Sequence, residues 1–94
     1  MAHTEQLLVE IRGALGQLSR TAQAERDSSR GAVARNLAAT FSGVTDRGTL
    51  RDAARESLPL FRGGMGSFQD VGTAPMADAV ERLHRALSRA SQRW

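Results

Sequence analysis

Ninety-four residues allow one domain with a single modest core. The chain is 40% hydrophobic and 24% charged but only 4% aromatic, so Leu, Val and Ala must fill that core, which suits helices better than sheets. Cysteine is absent, which excludes disulfides, thiol chemistry and Cys-based metal sites; no stretch approaches the ~18 apolar residues of a membrane span. All 13 basic residues are Arg, and against ten acids they leave a net charge of +3, compatible with an acidic partner but too weak to demand one. Arginine without lysine, beside abundant Ala and Gly, points to a GC-rich bacterial genome. Met1-Ala2-His3-Thr4-Glu5 lacks the basic and apolar regions of a signal peptide, so the expected location is cytoplasmic.

The first helix is expected to start at Thr4 as N-cap, with Glu5 in the dipole-favoured first turn, and to run to Glu25 or Asp27. Leu8, Ile11, Leu15, Leu18 and Ala22 recur at spacings of three and four, and Leu7 and Ala14 widen the stripe. The stripe is broad enough to serve a homodimer as well as an intrachain core. Val9, Gly13 and Gly16 lie on its flank, where glycine either admits a close crossing or dimer contact, or is simply tolerated; tolerance is the simpler reading.

Asp27-Ser28-Ser29-Arg30-Gly31 clusters turn and capping residues and predicts a break, with helix two starting at Gly31 or Ala32. Val33, Leu37 and Phe41 recur every four residues with Ala34 and Ala38 beside them, and Ser42-Gly43 ends the helix. Residues 44–48 form a second loop. Thr49-Leu50-Arg51-Asp52 has capping-box spacing, which starts helix three at Thr49. Leu50, Ala54, Ser57 or Leu58, and Phe61 form its inner face. Pro59 predicts a kink or tight last turn that sends Leu60 and Phe61 into the core, with Arg51, Arg55 and Arg62 outward.

Phe61-Arg62-Gly63-Gly64-Met65-Gly66-Ser67-Phe68-Gln69-Asp70 breaks the helical pattern. Three glycines in four positions cannot be helix interior, and Ser67 with Asp70 has capping-box spacing, which predicts a short extra turn near 68–71. Met65, Phe68 and Val71 would anchor this loop. Two readings stay open. The glycines make a sharp reversal with Phe68 plugging the bundle end, or the amides of residues 63–67 form an anion nest beside Arg62. No G-x-x-x-x-G-K-[ST] pattern supports a nucleotide P-loop. The run Gly63-Gly64-Met65-Gly66-Ser67-Phe68-x-Asp70 resembles the G-G-M-G-S-[FL]-N-D signature of a family of small, uncharacterised bacterial helical proteins, where it follows a helix ending in Leu-Phe or Leu-Tyr, as Leu60-Phe61 does here. Gln69 departs from the expected Asn. The resemblance covers about residues 50–87 and implies a bacterial origin, with no activity to carry over.

Thr73 is the expected N-cap of helix four and Pro75 suits its first turn. Met76, Val80, Leu83, Leu87, Ala90 and Trp94 form the cleanest apolar stripe. Arg82, Arg85, Arg89 and Arg93 form a basic stripe, read either as a solvated face complementing the helix dipole or as a phosphate-tracking face. His3 and His84, with an isolated Asp78/Glu81 pair, offer neither a catalytic triad nor a metal set.

The predicted fold is all-α: a small four-helix bundle with a glycine-rich loop and a short extra turn between helices three and four. The expected function is a non-catalytic interaction or regulatory protein, immunity-like or adaptor, without cofactor or metal. It would bind a protein partner through Arg62, Gly64, Met65, Gly66, Ser67, Phe68, Gln69 and Asp70. The alternatives are nucleic-acid binding by Arg82, Arg85, Arg89 and Arg93, and anion or small-ligand binding at the loop of Gly63 and Ser67.

Overall fold

A computed structural model of the chain describes residues 2–61 and 73–92, apart from the side chains of Ala2, His3 and Leu60. These residues form four α-helices, α1 (Ala2–Ala24), α2 (Ser28–Ser42), α3 (Arg47–Ser57) and α4 (Ala74–Ala90), with a 3-10 turn at Leu58–Phe61 closing α3. The expected all-α, four-helix architecture is the one found. The extra turn near 68–71 and the positions expected for Leu60 and Trp94 lie outside the described residues.

The fold is organised by α1. Its 23 residues span about 34 Å at 1.5 Å per residue, close to the 37 Å length of the molecule. Helices α2 and α4 both pack along it, and α3 lies mainly on α4. Both neighbours run antiparallel to α1. Along α2, Gly31 lies beside Ala22 while Ala38 and Ser42 share a surface with Arg12 and Leu15. Along α4, Thr73 reaches Glu25 while Arg82 reaches Glu10.

The core is the union of the predicted stripes. Ile11, Leu18, Phe41, Leu50, Met76, Leu83 and Leu87 are fully enclosed, with Ala14, Ala54, Ala79 and Ala86 between them. On α1 the order of Leu7 and Leu8 is the reverse of the expected one: Leu7 is buried and Leu8 half-buried. At about 100° per residue, Leu7 falls some 40° from Ile11 and Leu8 some 60°, on the opposite side. Thr4 lies within the first turn, not at an N-cap, because Ala2, a strong helix former, carries the helix further back.

The first break is much shorter than residues 27–31. Helix α1 ends in a Schellman motif: Asp27 N–H donates to Ala22 O at 2.8 Å and Arg26 N–H to Gln23 O at 3.3 Å. Arg26 takes the left-handed position, φ 57°, where glycine is usual. Asp27 is at once the last residue of that motif and the N-cap of α2, its carboxylate accepting from Arg30 N–H at 3.0 Å. Ser28, Ser29 and Arg30 are therefore first-turn residues. A left-handed Arg costs about 1–2 kcal/mol. Arg26→Gly should accordingly raise stability by about 1 kcal/mol, less the unfolded-state entropy glycine adds. An unchanged or lower urea midpoint would count against the Schellman assignment.

Gly43 caps α2 as expected, but its φ of −92° is open to any residue. Helix α3 starts earlier than Thr49. Asp46 is its N-cap, and the capping box is reciprocal: Asp46 Oδ1 accepts from Thr49 N–H at 2.8 Å, and Thr49 Oγ1 accepts from Asp46 N–H at 3.2 Å. The Thr49–Asp52 pairing expected from spacing loses to this one because Thr49 is already the third residue of the helix. Pro59 gives the predicted tight last turn, a 3-10 segment. It places half-buried Phe61 with its ring centroid 4.9 Å from that of His84. Helix α4 begins as predicted: Thr73 Oγ1 accepts from Met76 N–H at 3.2 Å and donates to Glu25 Oε2 at 2.6 Å, with Pro75 in the first turn.

Candidate functional site

The expected contact loop, Arg62, Gly63, Gly64, Met65, Gly66, Ser67, Phe68, Gln69 and Asp70, lies wholly outside the described residues. The basic stripe of α4 is described except for Arg93, and its members differ in role. Arg82 lies across α1: its Nε donates to Glu10 Oε2 at 2.9 Å, Nη2 to Glu10 Oε1 at 3.3 Å, and Nη1 to Gln17 Oε1 at 2.9 Å. The hydrogen bond from Arg82 holds the Glu10 carboxyl below the usual carboxylate range, and the same bond holds the guanidinium above its own. Arg85 pairs with Glu81 one turn back on the exposed face at 3.0 Å. Arg89 is exposed and makes no ion pair among the described residues.

Arg82 also gives Gly13 a use. A Cβ at Gly13 would lie 2.9 Å from Arg82 Nη2, so the guanidinium seats where a side chain would stand. Nη1 reaches the Gly13 carbonyl at 3.4 Å. Of the two readings of these glycines, close approach applies at Gly13, although to a side chain and not to a second helix.

Gly16 has a different consequence. With Leu15, Ala34 and Ala38 it floors an open groove of about 490 Å³ between α1 and α2, bordered by Arg12, Ser19, Arg35 and Ser42. The groove exists because the facing residues are too small to close the space: Ala34, Ala38 and Ser42 recur every four residues along α2, opposite Gly16. It continues into a more polar hollow of about 500 Å³ that shares Ser19 and Arg35 and adds Gln23, Arg26, Asp27 and Ser28. Arg12, Arg26 and Arg35 are exposed and make no ion pair among the described residues. The one acid lining either hollow, Asp27, is held by Arg30, whose Nη1 donates to Asp27 Oδ2 at 2.6 Å. The backbone N–H of Arg30, and secondly its guanidinium, keep the Asp27 carboxyl below its ordinary range.

Sequence reading missed this surface. Its signal was present in the small residues at every fourth position of α2, but Ala34 and Ala38 read as edges of the core stripe. Only Ala34 is buried; Ala38 is exposed. Beyond Arg12, the outer face of α1 carries Val9, 67% exposed, the one large hydrophobic residue so placed among the described residues.

Among the described residues no three His, Asp or Glu side chains converge to hold a metal ion, and no helix is long and apolar enough to cross a membrane. No family model, curated protein or solved structure matches the chain.

Proposed function

We propose that the chain is a non-catalytic protein-interaction module whose contact surface is the groove between α1 and α2. The observation that supports this is the groove itself, in which exposed Ala38 and half-buried Gly16 lie above the buried Leu15 and Ala34 and leave an apolar lining that no described residue fills. The glycine-rich run from Arg62 to Asp70 enters the proposal as a second contact element, on its composition alone. Nucleic-acid binding by α4 is the weaker reading, because Arg82 and Arg85 are already engaged by Glu10 and Glu81.

The test compares three baits in lysate of the source cell: wild type, Arg35→Glu with Ala38→Leu, and Phe68→Ala with Asp70→Ala. Arg35→Glu with Ala38→Leu should melt like wild type, since both residues are exposed. A partner held by wild type and lost by one of the variants is the expected result. Recovery of the same proteins by all three baits would refute the proposal.

A further inference from the structure

We infer that the α1/α2 groove receives an amphipathic helix from a protein partner, with a small apolar face flanked by carboxylates; this rests on the interaction-module reading above.

Extent comes first. The two hollows share Ser19 and Arg35 and together run from Arg12 and Ser42 to Arg26 and Ser28, the length of α2. Fifteen residues of α2 make about 22 Å, the length of four helical turns. An elongated trough fits a segment of chain better than a compact small molecule. The floor then selects the segment. Glycine and alanine let a partner backbone approach closely, at the 8–10 Å spacing of packed helices. Such a groove is read by side chains recurring at i, i+3, i+4 and i+7.

Charge sets the flanks. Arg12 and Arg35 border the apolar part and Arg26 its far end. None has an ion-pair partner among the described residues, and the only lining acid is already satisfied within the chain. Beyond Arg12 the surface adds no further arginine but does add Glu5, with Glu10 already held by Arg82. The acidic flank of the partner therefore covers the stretch from residue 12 to residue 26. A nucleic acid would meet the same arginines but gain nothing from the apolar floor, whereas an acid-flanked apolar helix uses both.

The test titrates isotope-labelled chain with two 15-residue helical peptides that share an Ala/Leu face and carry either Glu or Lys on the flanking positions. The Glu peptide should shift the amides of Gly16, Ser19, Ala34 and Ala38 and bind at least tenfold more tightly than the Lys peptide. Arg12→Glu with Arg35→Glu should reverse that order, and Ala38→Leu should block both peptides while leaving the melting temperature unchanged. Binding of neither peptide, or a preference that survives the charge reversal, would overturn the inference. So would a wild-type dimer in light scattering that Ala38→Leu converts to monomer, because a second copy would then occupy the groove. Partner capture lost only with Phe68→Ala and Asp70→Ala would leave the interaction module standing and the groove assignment overturned.

Discussion

Phe41→Ala is expected to destabilise the chain by about 3–5 kcal/mol, enough to bring a domain of this size close to unfolding. Phe41 is fully enclosed, and it is the largest side chain in the described core. It stands on the last turn of α2, where the chain turns through Val44 toward α3. The described core is mostly Leu and Ala, and alanines cannot swing in to fill the cavity that truncation leaves. The loss should therefore exceed the transfer free energy of the ring alone. Phe41→Leu keeps most of the volume and should cost about 1 kcal/mol. Urea unfolding of the pair measures both. A loss below about 1 kcal/mol for the alanine variant would mean that the ring is not enclosed as described.

The second large effect is expected at Asp27. Replacement by Ala removes the cap of α2, worth about 1 kcal/mol. It also removes the carboxylate beside Arg30, a guanidinium whose side chain is only 9% exposed. Losing this charge-assisted hydrogen bond as well raises the total to about 2–4 kcal/mol. The pH dependence follows from the direction of the Asp27 shift. Its folded-state pKa is depressed, so the contribution is present in full above the ordinary value of 3.8 and is lost as pH falls through the lower folded value. Glu10 and Asp46 are depressed as well and act in the same direction, Glu10 through Arg82 and Asp46 through the Thr49 backbone N–H. Stability should be level above about pH 5 and fall below about pH 4. Asp27→Asn keeps a capping oxygen but cannot titrate, so it should flatten part of the acid limb while losing less at neutral pH than Asp27→Ala. Equal acid limbs for wild type and Asp27→Asn would exclude this account.

Helix existence was legible in the sequence because apolar periodicity survives wherever one face is buried. Met76, Val80, Leu83, Leu87 and Ala90 were read correctly for that reason. Boundaries were harder because several polar residues competed for each cap. At residues 27–31 the serines looked like a loop, yet one carboxylate decided the start of α2. Thr49 suggests a cap because the box pattern also fits from it to Asp52, but Asp46, three residues earlier, caps the Thr49 amide itself. The turn after α1 contained no glycine to announce it, since an arginine holds the left-handed position. The groove was illegible for a different reason. Alanine serves equally in a core and on an exposed floor, and only the mutual placement of α1 and α2 distinguishes Ala34 from Ala38.

The antiparallel seating of α4 on α1 has a kinetic consequence. Arg82 and Glu10 are 72 positions apart in the chain, whereas the corner at Arg26 and Asp27 joins α1 to α2 directly. Closing the long loop costs more entropy, so the hairpin of the first two helices should assemble early and α4 dock late. Severing the Arg82 bridge should then accelerate unfolding and leave the refolding rate nearly untouched, a partition that stopped-flow traces of Arg82→Leu would display.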